Sequence, residues 1–223
     1  QALVMVPDAF DWKLASCFST CAYTAWLLVH SAAKVKPDQW VVVHSAAGAV
    51  GSLVIQIAKS AGAQVIGLVG GEHKFEFVEQ FGPDAVIDYL RDDWPDGVKA
   101  LTDGRGADVI FDGNAGDRAP MNLDAIAPLG HIVYLGASAG QAPPVPPSML
   151  IGKSCSMSGF VQYFHQAVSG GAEVAATHQA LADDVWRIPI EREFDLTDIA
   201  EAHRAWEARE LLGRSVIRVG GDL

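Results

Sequence analysis

The segment Val41-Val42-Val43-His44-Ser45-Ala46-Ala47-Gly48-Ala49-Val50-Gly51 constrains the fold more than any other part of the chain. Three β-branched residues run into a turn of small residues, and an apolar helical stripe follows. In a strand–turn–helix of this kind, Gly48 lets the backbone approach a pyrophosphate with no Cβ in the way. Gly51 lets the helix pack closely on the sheet, and the helix N-terminus offers oriented N–H groups to an anion. Ala46 stands where the usual first glycine would be, so the literal pattern is degenerate. Packing alone also places glycines in such turns, so the surroundings must decide.

The surroundings are a regular alternation. Apolar runs at Trp40–His44, Gln64–Val69, Ala85–Asp88, Ala107–Phe111 and His131–Leu135 have the length and near-continuous hydrophobicity of strands buried on both faces of a parallel sheet. Between them lie amphipathic stretches. Gly51–Ala61 carries Leu53, Val54, Ile57 and Ala58 on one stripe, and Lys74–Phe81 carries Phe75, Val78 and Phe81. Gly62, Gly82 and either Gly104 or Gly106 stand where those helices should end. Repeated βα units with right-handed crossovers give an α/β fold, a doubly wound parallel sheet of Rossmann type with helices on both faces.

The flanks read differently. Phe10–Ala32 is one long apolar helical region, and Ala2–Pro7 reads as the end of a strand entering a turn, as though from the middle of a longer sequence. Pro143, Pro144, Pro146 and Pro147 predict a stiff, extended, non-helical segment. A helix near Glu173–Ala182, a strand over Val185–Phe194, a helix over Asp198–Arg209 and a strand over Ser215–Val219 complete the tail. Two units are expected: residues 1–165, a helical lead-in with the dinucleotide domain, and residues 166–223, a C-terminal αβ segment.

A net charge of −11 argues against nucleic acid and anionic membrane surfaces as partners. It does not argue against a dinucleotide, which needs one local anion site. Three cysteines make no disulfide framework, and Cys17 and Cys21, four apart on a helix, are expected to face the core. No metal site is expected. No apolar run is long enough for a bilayer and no signal peptide opens the chain, so the expected location is cytoplasmic.

The second predicted strand ends Leu68-Val69-Gly70-Gly71 with no carboxylate at its tip, where a site preferring NADH would hold the ribose hydroxyls, and Lys74 follows. That combination favours a 2′-phosphate, hence NADPH over NADH. Glu72 pulls the other way, and Lys74 also suits a solvated helix start. His44, closing a strand, reads as structural.

These residues resemble the medium-chain dehydrogenase/reductase superfamily, and within it the zinc-independent quinone oxidoreductase-like group. The resemblance is carried by Thr24-Ala25-Trp26-Leu27-Leu28, Val35-Lys36-Pro37-Asp38, Ser45–Gly51, Ile87-Asp88-Tyr89, Gly130–Gly136, Ala200-Glu201-Ala202-His203 and Gly213-Arg214-Ser215-Val216. It implies NADPH as cofactor, with Thr24 near the nicotinamide and Gly48, Ala49, Val50 and Gly51 cradling the pyrophosphate. It places Lys74 and Tyr89 at the 2′-phosphate and adenosine end and Arg209 on a phosphate. Gly136 begins one loop passing the nicotinamide and Phe160 sits in a second. Tyr89 as a strand cap, Phe160 as core and Arg209 as a surface residue are the competing structural roles.

Members of the group begin with a β-rich, GroES-like catalytic domain that this sequence does not contain, so Val185–Phe194 and Ser215–Val219 are expected to lack their usual strand partners. The implied activity is NADPH-dependent reduction of a quinone or an α,β-unsaturated carbonyl, with hydride passing to a small electrophilic acceptor. Zinc plays no part, and no catalytic acid is identifiable. One alternative is an enoyl-thioester reductase of polyketide or fatty-acid type, with Lys74 and an acid near Asp92 as proton donors. Another is a non-catalytic NADPH-binding module. A homodimer formed along the sheet edge is the assembly the resemblance implies.

Overall fold

The computed structural model describes residues 4–220. Helix α1 spans Trp12–Leu27, and the side chain of its N-cap Asp11 accepts from the Leu14 N–H at 2.8 Å. The alternating core then follows as β1 (Trp40–Val43), α2 (Ala49–Ser60), β2 (Gln64–Val69), α3 (Phe75–Glu79), β3 (Ala85–Asp88), α4 (Trp94–Leu101) and β4 (Ala107–Asp112). It continues through α5 (Asn122–Ala125), β5 (Ile126–Tyr134), α6 (Pro147–Ile151) and β6 (Ser156–Gly159). Helices α7 (Gln162–Ser169) and α8 (Ala172–Ala182) come next, then β7 (Ile190–Asp195), α9 (Ile199–Glu207) and β8 (Arg214–Arg218).

Strands β1 to β6 form one sheet in the order β3-β2-β1-β4-β5-β6, every pair parallel. This is the doubly wound Rossmann order, with its switch point between β1 and β4. The alternation of β1 shows how the sheet is covered on both faces. Val41 and Val43 pack into the layer that holds Leu27, Leu53, Val54 and Ile57, and Val42 packs opposite with Trp94, Val98 and Ile132. Burying an aliphatic side chain of this size contributes about 1.5–3 kcal/mol, so β1 is anchored from both sides. Cys17 and Cys21 both face the core, as expected.

Several expectations are corrected. A sixth strand, Ser156-Met157-Ser158-Gly159, lies at the sheet edge, where a short polar sequence gives no buried-strand signal. The region expected as one helix to Ala32 changes at Leu28 into a wide π-type turn through Ala32. Pro147 opens a short helix instead of extending the proline segment. At a helix's first position proline's missing N–H costs nothing. Regular pairing within Val185–Phe194 begins only at Ile190, although the buried Trp186 and Ile188 keep the alternating pattern. The expected strand end at Ala2–Pro7 lies partly outside the described residues, and Val4–Pro7 form no strand.

The C-terminal strands, expected to lack the partners usual in the group, pair with each other. β7 and β8 run in parallel, and the resulting ribbon docks on the phosphate turn. The Gly213 N–H donates to the Ala47 carbonyl at 2.7 Å, beside a bridge between Gly48 and Gly213. Gly213 has φ +63°, and a Cβ there would collide with the Pro189 carbonyl oxygen. The tail is thereby held over the switch point, where Arg209 can reach the groove.

Candidate functional site

The turn after β1 is tied down by main-chain bonds. The His44 N–H donates to the Phe111 carbonyl at 2.9 Å, Ala46 to Leu68 at 3.0 Å, and Gly48 to Ser45 at 2.8 Å. Helix α2 starts at Ala49 with Gly48 as a cap that supplies no side-chain bond. The first N–H groups of such a helix have no intrahelical partner and sit at its positive end. A Cβ on Gly51 would collide with the Ser45 carbonyl oxygen and lie 3.0 Å from the Ala46 Cα, and one on Gly48 would lie 3.2 Å from that same oxygen. The close approach of helix and turn therefore requires glycine at position 51.

Above this turn lies a groove of about 360 Å³. Ser45, Ala47 and Gly48 form its floor, Val69 and Gly70 come from the β2 tip, and Lys74 and Tyr89 close one end. Asn114 and Ser138 come from the loops after β4 and β5, Trp206 and Glu207 from the end of α9, and Arg209 and Leu211 from the loop that follows it. The loops at the carboxyl ends of the central strands thus converge where open α/β sheets bind ligands.

The β2 tip carries no acid of its own. The neighbouring Asp88 on β3 accepts from the N–H groups of Gly71 at 3.0 Å and Leu90 at 2.9 Å. The Tyr89 ring lies over Gly70, where a Cβ would come within 3.0 Å of the phenol oxygen. Lys74 Nζ donates to the Arg209 carbonyl at 3.0 Å, and the Arg209 guanidinium donates to Tyr89 Oη at 3.4 Å and to the Ser138 carbonyl at 3.3 Å. Two cations therefore share one end of the groove in a protein of net charge −11. Burial, then the neighbouring Arg209 charge, pushes the Lys74 amine below the usual lysine range, with Glu191 opposing. An anion placed between the two cations would offset their mutual repulsion.

The predicted site residues fall into separate places. Gly48, Lys74, Tyr89 and Arg209 meet in the groove, while Val50 and Gly51, with Gly48 again, line a cavity of about 100 Å³ beneath the turn. Ala49 is the first residue of α2. Gly136 passes so close to the β4 loop that a Cβ would lie 2.8 Å from the Gly113 carbonyl oxygen. Thr24 and Phe160 are not in the groove wall. The Thr24 hydroxyl donates to Gln162 Oε1 at 2.7 Å, and the Phe160 ring stacks on His165 with centroids 4.8 Å apart. Asp92 pairs with Arg118 at 3.0 Å, away from Lys74.

His44 is held in the interior. It is 8% exposed and bonds Asn122 Oδ1 through Nε2 at 2.8 Å. Burial lowers its proton affinity, with Asp112 and Asn122 opposing. A neutral imidazole in this position is structural.

Sequence reasoning did not single out Ser45, Asn114, Ser138 or Trp206 as groove residues. Among the described residues no group of three or more His, Cys, Asp or Glu side chains is arranged to hold a metal ion.

Fold and groove together define a dinucleotide-binding domain of Rossmann type, with the glycine turn and the Lys74–Arg209 pair both facing the groove. The family model described as zinc-binding dehydrogenase matches residues 49–177. The chain belongs to this family, in the quinone oxidoreductase-like group of the medium-chain dehydrogenase/reductase superfamily. It is 36% identical over 159 residues to a quinone oxidoreductase-like protein 2 homolog of Nematostella vectensis, covering 71% of this chain and 43% of that protein. It is 30% identical over 224 residues to a 2-haloacrylate reductase of a Burkholderia species, covering 97% of this chain and 67% of that protein. The structure of an Escherichia coli quinone oxidoreductase complexed with NADPH superposes with a TM-score of 0.88 at 26% identity, over 96% of this chain and 68% of that one. The chain thus spans less than half of the first relative and about two thirds of the other two proteins.

Proposed function

We propose that this chain is the dinucleotide-binding part of an NADPH-dependent oxidoreductase that reduces quinones or α,β-unsaturated carbonyls without zinc. The observation that carries the reading is the end of the groove beyond the phosphate turn. Lys74 and Arg209 converge there beside Tyr89, the β2 tip itself ends in Gly70 and Gly71, and the neighbouring Asp88 accepts from backbone N–H groups. An anionic 2′-phosphate suits that arrangement, and a ribose hydroxyl seeking an acid does not. The relatives named for quinone and 2-haloacrylate reduction, and the neighbour complexed with NADPH, support the reading.

When bound, the cofactor would supply the hydride. The residues of this chain bind and orient it: the α2 N-terminus and Gly48 for the pyrophosphate, and Lys74, Tyr89 and Arg209 for the phosphorylated adenosine end. Asp92, the acid that an enoyl-thioester reductase would pair with Lys74 for proton delivery, is bonded to Arg118. Residues 166–223 would complete a catalytic domain, and the open edge at β6 would carry a homodimer. A cytoplasmic location belongs to the same reading, and no helix among the described residues is long and apolar enough to cross a membrane.

Titration of the chain with NADPH and NADH, followed by assays with a quinone and an enoyl thioester, tests the proposal. NADPH binding with quinone reduction is the expected result. Turnover of the thioester alone would reject the quinone reading, and binding of neither nucleotide would reject the whole.

A further inference from the structure

One wall of the groove has a fixed hydrogen-bonding polarity. Ser45, Asn114 and Ser138 follow β1, β4 and β5, and they meet through a single atom. Asn114 Oδ1 accepts from Ser45 Oγ at 2.6 Å and from Ser138 Oγ at 3.1 Å. Asn114 is 7% exposed, and its position is set from below. Its backbone N–H donates to Asp112 Oδ1 at 2.7 Å, and the Ala115 N–H donates to the same oxygen at 3.0 Å. The other Asp112 oxygen receives the Asn122 amide at 2.7 Å, and Asn122 in turn accepts from His44.

An amide oxygen can only accept, so both serine protons are committed to Asn114. Each hydroxyl oxygen then has only lone pairs left for the groove. Turning either proton toward a phosphate would give up one of the two bonds that this oxygen accepts, about 0.5–1.5 kcal/mol for an ordinary hydrogen bond. The wall therefore presents acceptors, unlike the α2 N-terminus and the Lys74–Arg209 end, which present donors and positive charge.

We propose that the Ser45–Asn114–Ser138 wall is a subsite for hydrogen-bond-donating groups on the adenosine half of the dinucleotide, either its exocyclic amine or its free ribose hydroxyl. This rests on the dinucleotide reading above and adds to it a rule of orientation. Phosphates go to the turn and the cation pair, and nucleoside donors go to the wall between them. Asn114 acts as a positioning residue by aiming the two hydroxyls.

The test uses the whole chain, with Ser45→Ala and Ser138→Ala variants, thermal midpoints to confirm folding, and three probes. These are NADPH, its hypoxanthine analogue lacking the exocyclic amine, and its analogue lacking the adenosine 3′-hydroxyl. Each substitution should weaken NADPH binding about two- to tenfold. One analogue should bind wild type more weakly by a similar factor, and at least one serine variant should no longer distinguish that analogue from NADPH. Coupling to the first analogue assigns the amine, and coupling to the second assigns the ribose hydroxyl. NADPH binding with no coupling to either analogue overturns the subsite alone, whereas no NADPH binding by wild type overturns the functional reading and the subsite together. Should Ser45→Ala not fold, Ser138→Ala, on an exposed loop, answers the same question.

Discussion

Replacing Lys74 by Ala separates the proposed phosphate role from a merely structural one. In the free protein Lys74 is half-buried, donates to a backbone carbonyl at 3.0 Å, and shares its end of the groove with the Arg209 charge. Removing it loses one neutral-acceptor hydrogen bond but also removes a like-charge repulsion, so the thermal midpoint should change little. With a 2′-phosphate in place, the same side chain would make a charge-assisted hydrogen bond worth about 1.5–3 kcal/mol. Its loss corresponds to a roughly 10- to 100-fold rise in the Kd for NADPH. NADH has no phosphate there and should bind the variant about as well as wild type. The assay is a fluorescence titration of both nucleotides against both proteins at two ionic strengths, because the NADPH effect should shrink in salt. Equal weakening of NADPH and NADH would refute the assignment, as would a large fall in stability with no change in nucleotide preference.

Other consequences follow from the same geometry. Because burial and Arg209 depress the Lys74 pKa, NADPH affinity in wild type should begin to fall with rising pH below the usual lysine range; titrations across alkaline pH should show this for NADPH and not in Lys74→Ala. Gly51→Ala forces a Cβ against the Ser45 carbonyl and should cost about 1–3 kcal/mol, read as a midpoint lowered by several degrees. His44 has a depressed folded-state pKa, so its stabilising contribution is present above the unfolded value near 6.5 and is lost as pH falls toward the folded value. Midpoints measured from pH 7.5 to 5 should fall more steeply in wild type than in His44→Asn; parallel curves would contradict that burial. Asp112→Asn places an amide where a 1% exposed carboxylate receives three donors, and should destabilise by about 1.5–3 kcal/mol in denaturant unfolding.

The parts of this fold that were legible in the sequence are those where burial dictates residue type. Val41–Val43 and Val65–Val69 are buried in the sheet and carry only apolar residues and glycine, and Gly51 is forced by backbone contact. Ser156–Gly159 gives no such signal because this edge strand carries one apolar residue, Met157, among serines and a glycine. The partnering of Ile190–Asp195 with Arg214–Arg218 depends on tertiary placement, and nothing in either segment announces the other. The groove divides in the same way. Gly48 and Lys74 are fixed by position relative to strands, so spacing finds them. Asn114 and Ser138 gain meaning only because three loops distant in the chain converge on one oxygen atom. Thr24 and Phe160 were legible only through resemblance, and in the structure they bond and stack with the neighbouring helix α7, outside the groove wall.

The central claim is that the groove is built for a phosphorylated dinucleotide, and the ratio of the NADH and NADPH dissociation constants for the unmodified chain tests it most directly. The cation pair at the β2 tip predicts NADPH binding at least about tenfold tighter, the yield of one charge-assisted contact. Equal affinities, or a preference for NADH, would contradict the account.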